Sequence, residues 1–281
     1  MEIKSKYDVA VAWRIYPKIS KEPLFYNNDK LSLVKLSLYS FIESAKNLKV
    51  KYYFILDGCP KEYTETINNL LKGEAYDIIN TSSIGNQNTF QLQIEILLKQ
   101  NESELVYFAE DDYLYKPHSF QHLINFIKSN ENVDFLTGYH HKELTYHLIH
   151  KIKRNFHFRD NICWQTDAST CLTFMTKKSI LRKSKDIFLT YTKGNNDCSI
   201  WLTLTKKHIY NPIKYYLFWK NKNVGFDILK MALKYGFKYF LLSRKYKLWT
   251  AVPAVCTHLE KEHISPNVDW VNIYNELKNK I

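Results

Sequence analysis

The chain has 281 residues, 45% hydrophobic and 24% charged, an ordinary balance for a globular protein long enough to bury a full core. Its 40 Lys and Arg against 28 Asp and Glu give a formal charge of +12, which attracts phosphate groups of nucleotides, nucleic acid or anionic lipid. The basic residues form no long run, and no uncharged apolar stretch reaches the roughly 18 residues that would span a bilayer. Cys59, Cys163, Cys171, Cys198 and Cys256 form no C-x-x-C pair and read as reduced thiols, not a disulfide framework or a zinc site. The N-terminal MEIKSKYDVAVAW lacks a signal-peptide apolar core, so a cytoplasmic location is expected.

Strand and helix patterns then alternate. Tyr7–Ile15 is β-branched and apolar, a buried strand. Pro17 to Asn28 is a loop. Leu31–Leu48 has apolar residues at helical spacing, with Asn28 or Asp29 as N-cap. Tyr52–Leu56 is a second strand, closed by Asp57-Gly58. Glu62–Lys72 is a short helix ended by Gly73. Tyr76–Asn80 is a third strand, Asn86–Gln100 a helix, and Leu105–Ala109 a fourth strand. Helix Phe120–Ser129 and strand Val133–Thr137 continue the series. Such alternation predicts an α/β domain with a largely parallel central sheet flanked by helices.

After Gly138 the periodicity fades. Tyr139 to Asn161 holds five His without an HExxH spacing, so an acceptor-contacting loop is expected there rather than a zinc site. Cys171–Met175 reads as a strand, Lys178–Lys183 as a helix, and Asn196–Thr205 as a helix capped near Asn195 or Asn196. Residues 225–247 form a basic amphipathic helix, with Lys230, Lys234 and Lys238 recurring every four residues. That pattern suits a surface helix or one lying on an anionic membrane. The expected organisation is a catalytic unit over 1–215, with a nucleotide-binding half 1–115 and an acceptor half 116–215. Residues 216–281 form a C-terminal helical appendage and a strand completing the site.

The strands end in polar residues one after another: Arg14, then Asp57, then Thr81 and Ser82, then Glu110, Asp111 and Asp112. In a parallel sheet such ends gather on one edge, where open α/β sheets bind ligands. Three consecutive carboxylates repel one another and call for water or a cation. No G-x-G-x-x-G or G-x-x-x-x-G-K-[ST] is present, so phosphates must be met by metal and side chains. Hard oxygen ligands suit Mg²⁺ or Mn²⁺. Asn88 and Gln91, early in the 86–100 helix, are expected to cover a nucleotide or sugar. Trp164 and Asp167, in a Trp-plus-polar cluster, are expected at an acceptor sugar.

The run VYFAEDD, followed by YLYKPHSF, resembles the DXD-type motif of GT-A glycosyltransferases. Its E-D-D form is similar to that of the Golgi N-acetylglucosaminyltransferase family. The resemblance spans roughly residues 7–135 and implies the following assignments. Asp112 is the metal ligand, Asp111 contacts the nucleotide, and Glu110 sits beside nucleotide or donor sugar, near Arg14 and Asp57. GT-A enzymes commonly carry an acidic residue some 80 to 100 positions after the metal motif, at a helix start, and Asp197 stands 197 − 112 = 85 positions on. It would be the general base of an inverting transfer. His258, after a late strand, would complete the metal or pyrophosphate site.

The implied activity is metal-dependent transfer from a nucleotide sugar, UDP-linked, to a saccharide or lipid-linked saccharide, with a peripheral membrane contact. Two rivals stand beside it. A nucleotidyl- or phosphoryl-transfer enzyme would use the same carboxylates, but WRIYPKIS lacks the glycine-rich loop such enzymes carry near the first strand. A basic nucleic-acid-binding protein fits the charge, but shows no recognition motif, and the acidic triplet repels a polyanion.

Overall fold

The computed structural model describes residues 5–19, 21–221 and 224–281. The start of the N-terminal stretch in which no signal peptide is expected, residues 1–4, lies outside them. The first half alternates β1 (Val9–Ile15), α1 (Lys30–Ser44), β2 (Val50–Asp57), α2 (Lys61–Leu70), β3 (Ala75–Thr81), α3 (Gly85–Lys99) and β4 (Leu105–Glu110). A short β5 (Tyr113–Tyr115) follows the carboxylates, then α4 (Phe120–Ser129), β6 (Phe135–Thr137) and the one-turn α5 (Glu143–Tyr146). The chain continues through β7 (Phe156–Arg159), β8 (Ile162–Asp167), β9 (Phe174–Lys177), α6 (Lys178–Phe188), α7 (Asp197–Thr205) and α8 (Pro212–Lys220). It ends with α9 (Val224–Leu242), β10 (Leu248–Val252), β11 (Cys256–His258) and α10 (Trp270–Leu277).

One sheet runs in the order β3-β2-β1-β4-β9-β6-β10-β8-β7. β8 and β9 run against the other strands, and the rest share one direction. The fold is therefore the mostly parallel α/β sheet flanked by helices that the alternation predicts. All seven residues of β1 are buried, as a central parallel strand requires. Its alternate side chains serve two layers. Val9, Val11, Trp13 and Ile15 join Phe41, Phe54, Tyr107 and Phe120 on the α1 and α4 side. Ala10 and Ala12 join Phe90, Ile94, Phe108, Phe174 and Trp201 on the α3, α6 and α7 side. Each large apolar side chain buried in these layers contributes about 1.5–3 kcal/mol.

The alanines have a reason. They let α3 come close enough for buried Gln93 to donate from Nε2 to Ala12 O at 2.7 Å and Ala109 O at 3.0 Å. That bridge ties β1 to β4 just before both strands reach the carboxylates. A similar close approach holds the later helices. A Cβ at Gly236 of α9 would stand 2.5 Å from Thr203 Oγ1 of α7, a spacing only glycine tolerates.

Several expectations for the second half are corrected. The 139–161 stretch is not an irregular loop throughout. It contains α5, a 3-10 turn at Leu148–His150 and β7. Asp160 and Asn161 turn β7 back onto β8 with positive φ of 52° and 60°, a conformation that Asp and Asn accept more readily than most residues. The strand expected at Cys171–Met175 forms later, at Phe174–Lys177. The 216–281 segment is more than an appendage, because β10 lies inside the sheet between β6 and β8. No helix among the described residues is long and apolar enough to cross a membrane.

Candidate functional site

Strand register gathers the polar strand ends. Arg14 lies directly opposite Glu110, and Asp57 opposite Thr81. Asp57 is 2% exposed. It accepts hydrogen bonds from Thr81 Oγ1 at 2.7 Å, Ile84 N at 2.7 Å and Gly85 N at 2.8 Å. Its carboxylate thus satisfies the first amides of α3, the position a phosphate takes at many helix starts. Arg14 is buried, pairs with Glu110 and donates to Asn86 Oδ1 and, at 3.1 Å, to Asn86 O. Glu110 accepts a further bond from Thr173 Oγ1 at 2.7 Å, so it is clamped from β1 and from the stretch leading into β9.

The next two carboxylates part company. Asp111 turns to α1 and the first loop: Lys30 Nζ donates to its Oδ1 at 2.7 Å and Tyr16 N to its Oδ2 at 2.8 Å. Burial works against the Lys30 ammonium, but Asp111 and Asp112 hold its pKa above the ordinary value. Asp112 Oδ2 lies 3.1 Å from His258 Nε2. Antiparallel pairing of β11 with β5 sets His258 opposite Tyr113 and so beside Asp112. Asp112 Oδ1 is buried with no hydrogen-bond partner among the described residues. Burial raises the Asp112 carboxyl, yet His258, Lys30 and Arg14 outweigh it and hold the group below the usual carboxylate range.

Two cavities meet at this edge. The first, about 410 Å³, is lined by Arg14, Lys18, Lys30, Asp57, Asn86, Glu110, Asp111 and Asp112 among others. The second, about 600 Å³, is lined by Lys21, Glu143, Tyr191, Asp197, His258 and Glu260 with the His-rich segment. Both share Arg14, Asn86, Glu110 and Asp112. Asn86 bridges them: its side chain accepts from Arg14 and donates to Tyr191 Oη at 2.9 Å.

Asp197 opens α7, but it is not the cap. Asn196 is, accepting from Ser199 N at 2.8 Å. Asp197 Oδ1 accepts only from Cys198 N, at 2.7 Å, among the described residues. Burial, with Glu110 and Glu143 nearby, pushes its carboxyl above the ordinary range.

Of the residues singled out in the sequence, Arg14, Asp57, Glu110, Asp111, Asp112 and His258 are brought together, with Asp197 across the shared wall. Asn88 and Gln91 are not. α3 turns Phe90, Gln93, Ile94 and Leu97 inward, which leaves Asn88 exposed and Gln91 half-buried, neither of them lining the two cavities. Asn88 bonds Ile84 O and Gln91 bonds Glu95. Asn86 and Thr89, one turn apart on the cavity face, stand in their place.

Trp164 and Asp167 likewise line neither of the two cavities. β8 is paired on both sides. Trp164 is fully buried and stacks on Phe126 with ring centroids 4.4 Å apart. Asp167 is 1% exposed and held by Arg154 at 2.7 Å and Gln165 at 2.9 Å. Lys30 and Tyr191 had no signal in the sequence. Each reaches the site across a long chain separation, Lys30 to a carboxylate 81 positions away.

No family model matches the chain, and no curated protein does. Among solved structures, S. aureus TarS 1-349 in complex with UDP is similar at 15% identity and a TM-score of 0.45, over 69% of this chain and 54% of that one. TarS 1-349 alone gives 12% identity and 0.41, over 63% and 49%. The mannosyltransferase PcManGT from Pyrobaculum calidifontis, in complex with GDP-Man and Mn2+, gives 12% and 0.35, over 48% and 36%. One of these neighbours is a mannosyltransferase and another holds UDP, and this chain spans about a third to a half of their length. At such identities and TM-scores no residue role passes from them to this chain.

Proposed function

We propose that the protein is a metal-dependent glycosyltransferase that moves a sugar from a nucleotide donor, UDP-linked, to a hydroxyl of a saccharide or glycoconjugate. One observation carries the reading. The carboxylate edge is a shared wall between a cavity bearing Arg14, Lys18 and Lys30 and a second cavity bearing Asp197. A transfer between two substrates needs such an arrangement, because donor and acceptor must meet at one bond while their remaining parts are held apart.

The residues fit a divalent cation. Asp112 Oδ1 is buried and unpartnered among the described residues, and Oδ2 faces His258 across 3.1 Å. One carboxylate and one imidazole, with phosphate oxygens and water, suit Mn²⁺ or Mg²⁺. Bound there, the ion would neutralise charge on the leaving diphosphate. Arg14 and Lys30 carry positive charge along the donor cavity, already oriented by Glu110 and Asp111. In the second cavity Asp197 takes the acceptor hydroxyl proton as that oxygen bonds the anomeric carbon. The bond from sugar to phosphate oxygen breaks, and its electron pair leaves with the diphosphate. Attack from the far side inverts the anomeric centre.

The test is a thermal-shift screen of UDP-, GDP-, CMP- and dTDP-sugars with and without Mn²⁺, followed by turnover. A true donor at 100 times its Kd stabilises the fold by about 2.7 kcal/mol. If no nucleotide sugar moves Tm and none is hydrolysed or transferred, the reading fails.

The acceptor side includes a membrane contact in this proposal. α8 and α9 expose Ile213, Tyr216, Trp219, Phe237 and Leu241, the last 76% exposed. Lys220, Lys230, Lys234 and Lys238 are exposed on the same two helices. Aromatic and aliphatic side chains among lysines suit the surface of an anionic bilayer. Vesicles containing phosphatidylglycerol should co-sediment the protein, and Trp219→Ser with Leu241→Ser should reduce binding several-fold. Equal binding to neutral vesicles, or none to anionic ones, excludes this contact.

A further inference from the structure

The second cavity contains a cluster that sugar transfer does not use. His141, Glu143 and His150 each present one ligand atom, and the three atoms lie within 4.8 Å of one another. They come from α5 and the turns on either side of it, so a single short span, His141 to His150, forms the group. His141 and His150 are 6% and 3% exposed, and their rings meet edge to face at 4.9 Å. Glu143 is half-buried.

His141 Nε2 is buried and has no hydrogen-bond partner among the described residues. The ring's other polar contact is with the Ser169 backbone, which assigns that bond to Nδ1 and leaves the Nε2 lone pair free. His150 Nδ1 lies 3.5 Å from Ser169 Oγ, so its Nε2 is the nitrogen left for a ligand. Ser169 thus orients both imidazoles, the usual arrangement behind metal-bound histidines.

We propose that His141, His150 and Glu143 form a second cation site, selective for Zn²⁺-like transition metals over Mg²⁺ and Mn²⁺, on the wall of the second cavity. Two imidazoles and one carboxylate are a borderline-soft set that favours Zn²⁺, unlike the oxygen-rich carboxylate edge. Ligand bonds of roughly 2.0–2.2 Å draw donor atoms closer together than 4.8 Å. Rotation of the half-buried Glu143 side chain closes the gap. Three protein ligands leave a coordination position for water or an oxygen of whatever fills the cavity. The bound ion would also pin α5 and the Leu148–His150 turn into one rigid wall.

The inference does not depend on the glycosyltransferase reading, and the test does not measure turnover. The full chain, stripped of metal by chelator and dialysis, is titrated with Zn²⁺ against a chromophoric competitor, and with Co²⁺ followed by visible absorption. The expected result is one tight equivalent of Zn²⁺ and the intense Co²⁺ bands of a four-coordinate site. Glu143→Gln and His150→Gln should each weaken Zn²⁺ more than 100-fold, since even changes to outer-shell partners cost about 10- to 100-fold. Asp112→Asn should leave Zn²⁺ binding unchanged. Near-UV circular dichroism checks that each variant folds, and Glu143→Gln alters a half-buried residue, so it serves if a His variant does not fold. Absence of a tight equivalent in the parent overturns the proposal. So does tight binding that survives both substitutions, or that disappears in Asp112→Asn.

Discussion

Asp197→Asn should lower turnover by roughly 10²- to 10⁴-fold while leaving the donor-induced thermal shift intact, since general-base catalysis typically contributes that much. The position argues for the role. An acidic residue at a helix start is most often a cap, but here Asn196 caps α7 through Ser199 N. Asp197 accepts from Cys198 N and lies on the wall of the second cavity.

Its titration supplies two further readouts. Burial raises the folded-state pKa, so the folded protein binds this proton more tightly than the unfolded chain. Stability is then reduced at pH above the folded pKa, and the deficit disappears as pH falls below the unfolded one. Asn carries no charge, so the variant should melt no lower than the parent at neutral pH. A base must be deprotonated to act, so kcat/KM of the parent should fall on the acid side, at a pH above the ordinary Asp value of about 3.9. Near-parental turnover in the variant, or an Asn variant that melts well below the parent, would assign Asp197 to structure instead.

The first half of the fold was legible because each signal there is local. β1 to β4 are apolar runs bounded by turns. Asp29 caps α1 through Ser32 N, as its place before an apolar period suggests. The polar ends Arg14, Asp57 and Glu110 could be assigned to one edge because parallel strands in register must end together. Beyond residue 138 the signals become tertiary. Trp164 resembles a sugar platform in sequence, but whether a Trp faces a cavity or Phe126 depends on which strands flank β8. Those strands, β7 and β10, lie on either side of it in sequence, and β10 comes more than 80 positions later. Asn88 and Gln91 failed for a smaller reason. On a helix, a shift of two residues moves a side chain about half a turn, and Asn86 and Thr89 take the cavity face. The His cluster has the spacing of no familiar motif, because its geometry depends on a one-turn helix and a 3-10 turn.

Asp112→Asn should remove the Mn²⁺-dependent part of any donor stabilisation and lower turnover by about 10³-fold. Several kcal/mol of charge stabilisation are at stake at such sites, and each 1.36 kcal/mol is tenfold in rate. The substitution keeps the size of the side chain and removes only the charge, so a lost effect reports electrostatics rather than packing. Each of the three carboxylates has a different set of partners, and this predicts a ranking. Asp111 is already matched by Lys30 and Tyr16 N, and Glu110 by Arg14 and Thr173. Of the three, Asp112 keeps a buried oxygen without a partner among the described residues, so it has the most to offer a cation. Glu110→Gln should therefore weaken Mn²⁺ less than Asp112→Asn, and act chiefly by loosening Arg14. His258→Ala should fall between them, since a ligand shell of phosphates and water can replace one imidazole more readily than the carboxylate. Isothermal titration of Mn²⁺ in the presence of UDP measures all three. If Asp112→Asn binds Mn²⁺ as the parent does, the cation does not sit at Asp112, and the division of roles among the carboxylates has to be redrawn.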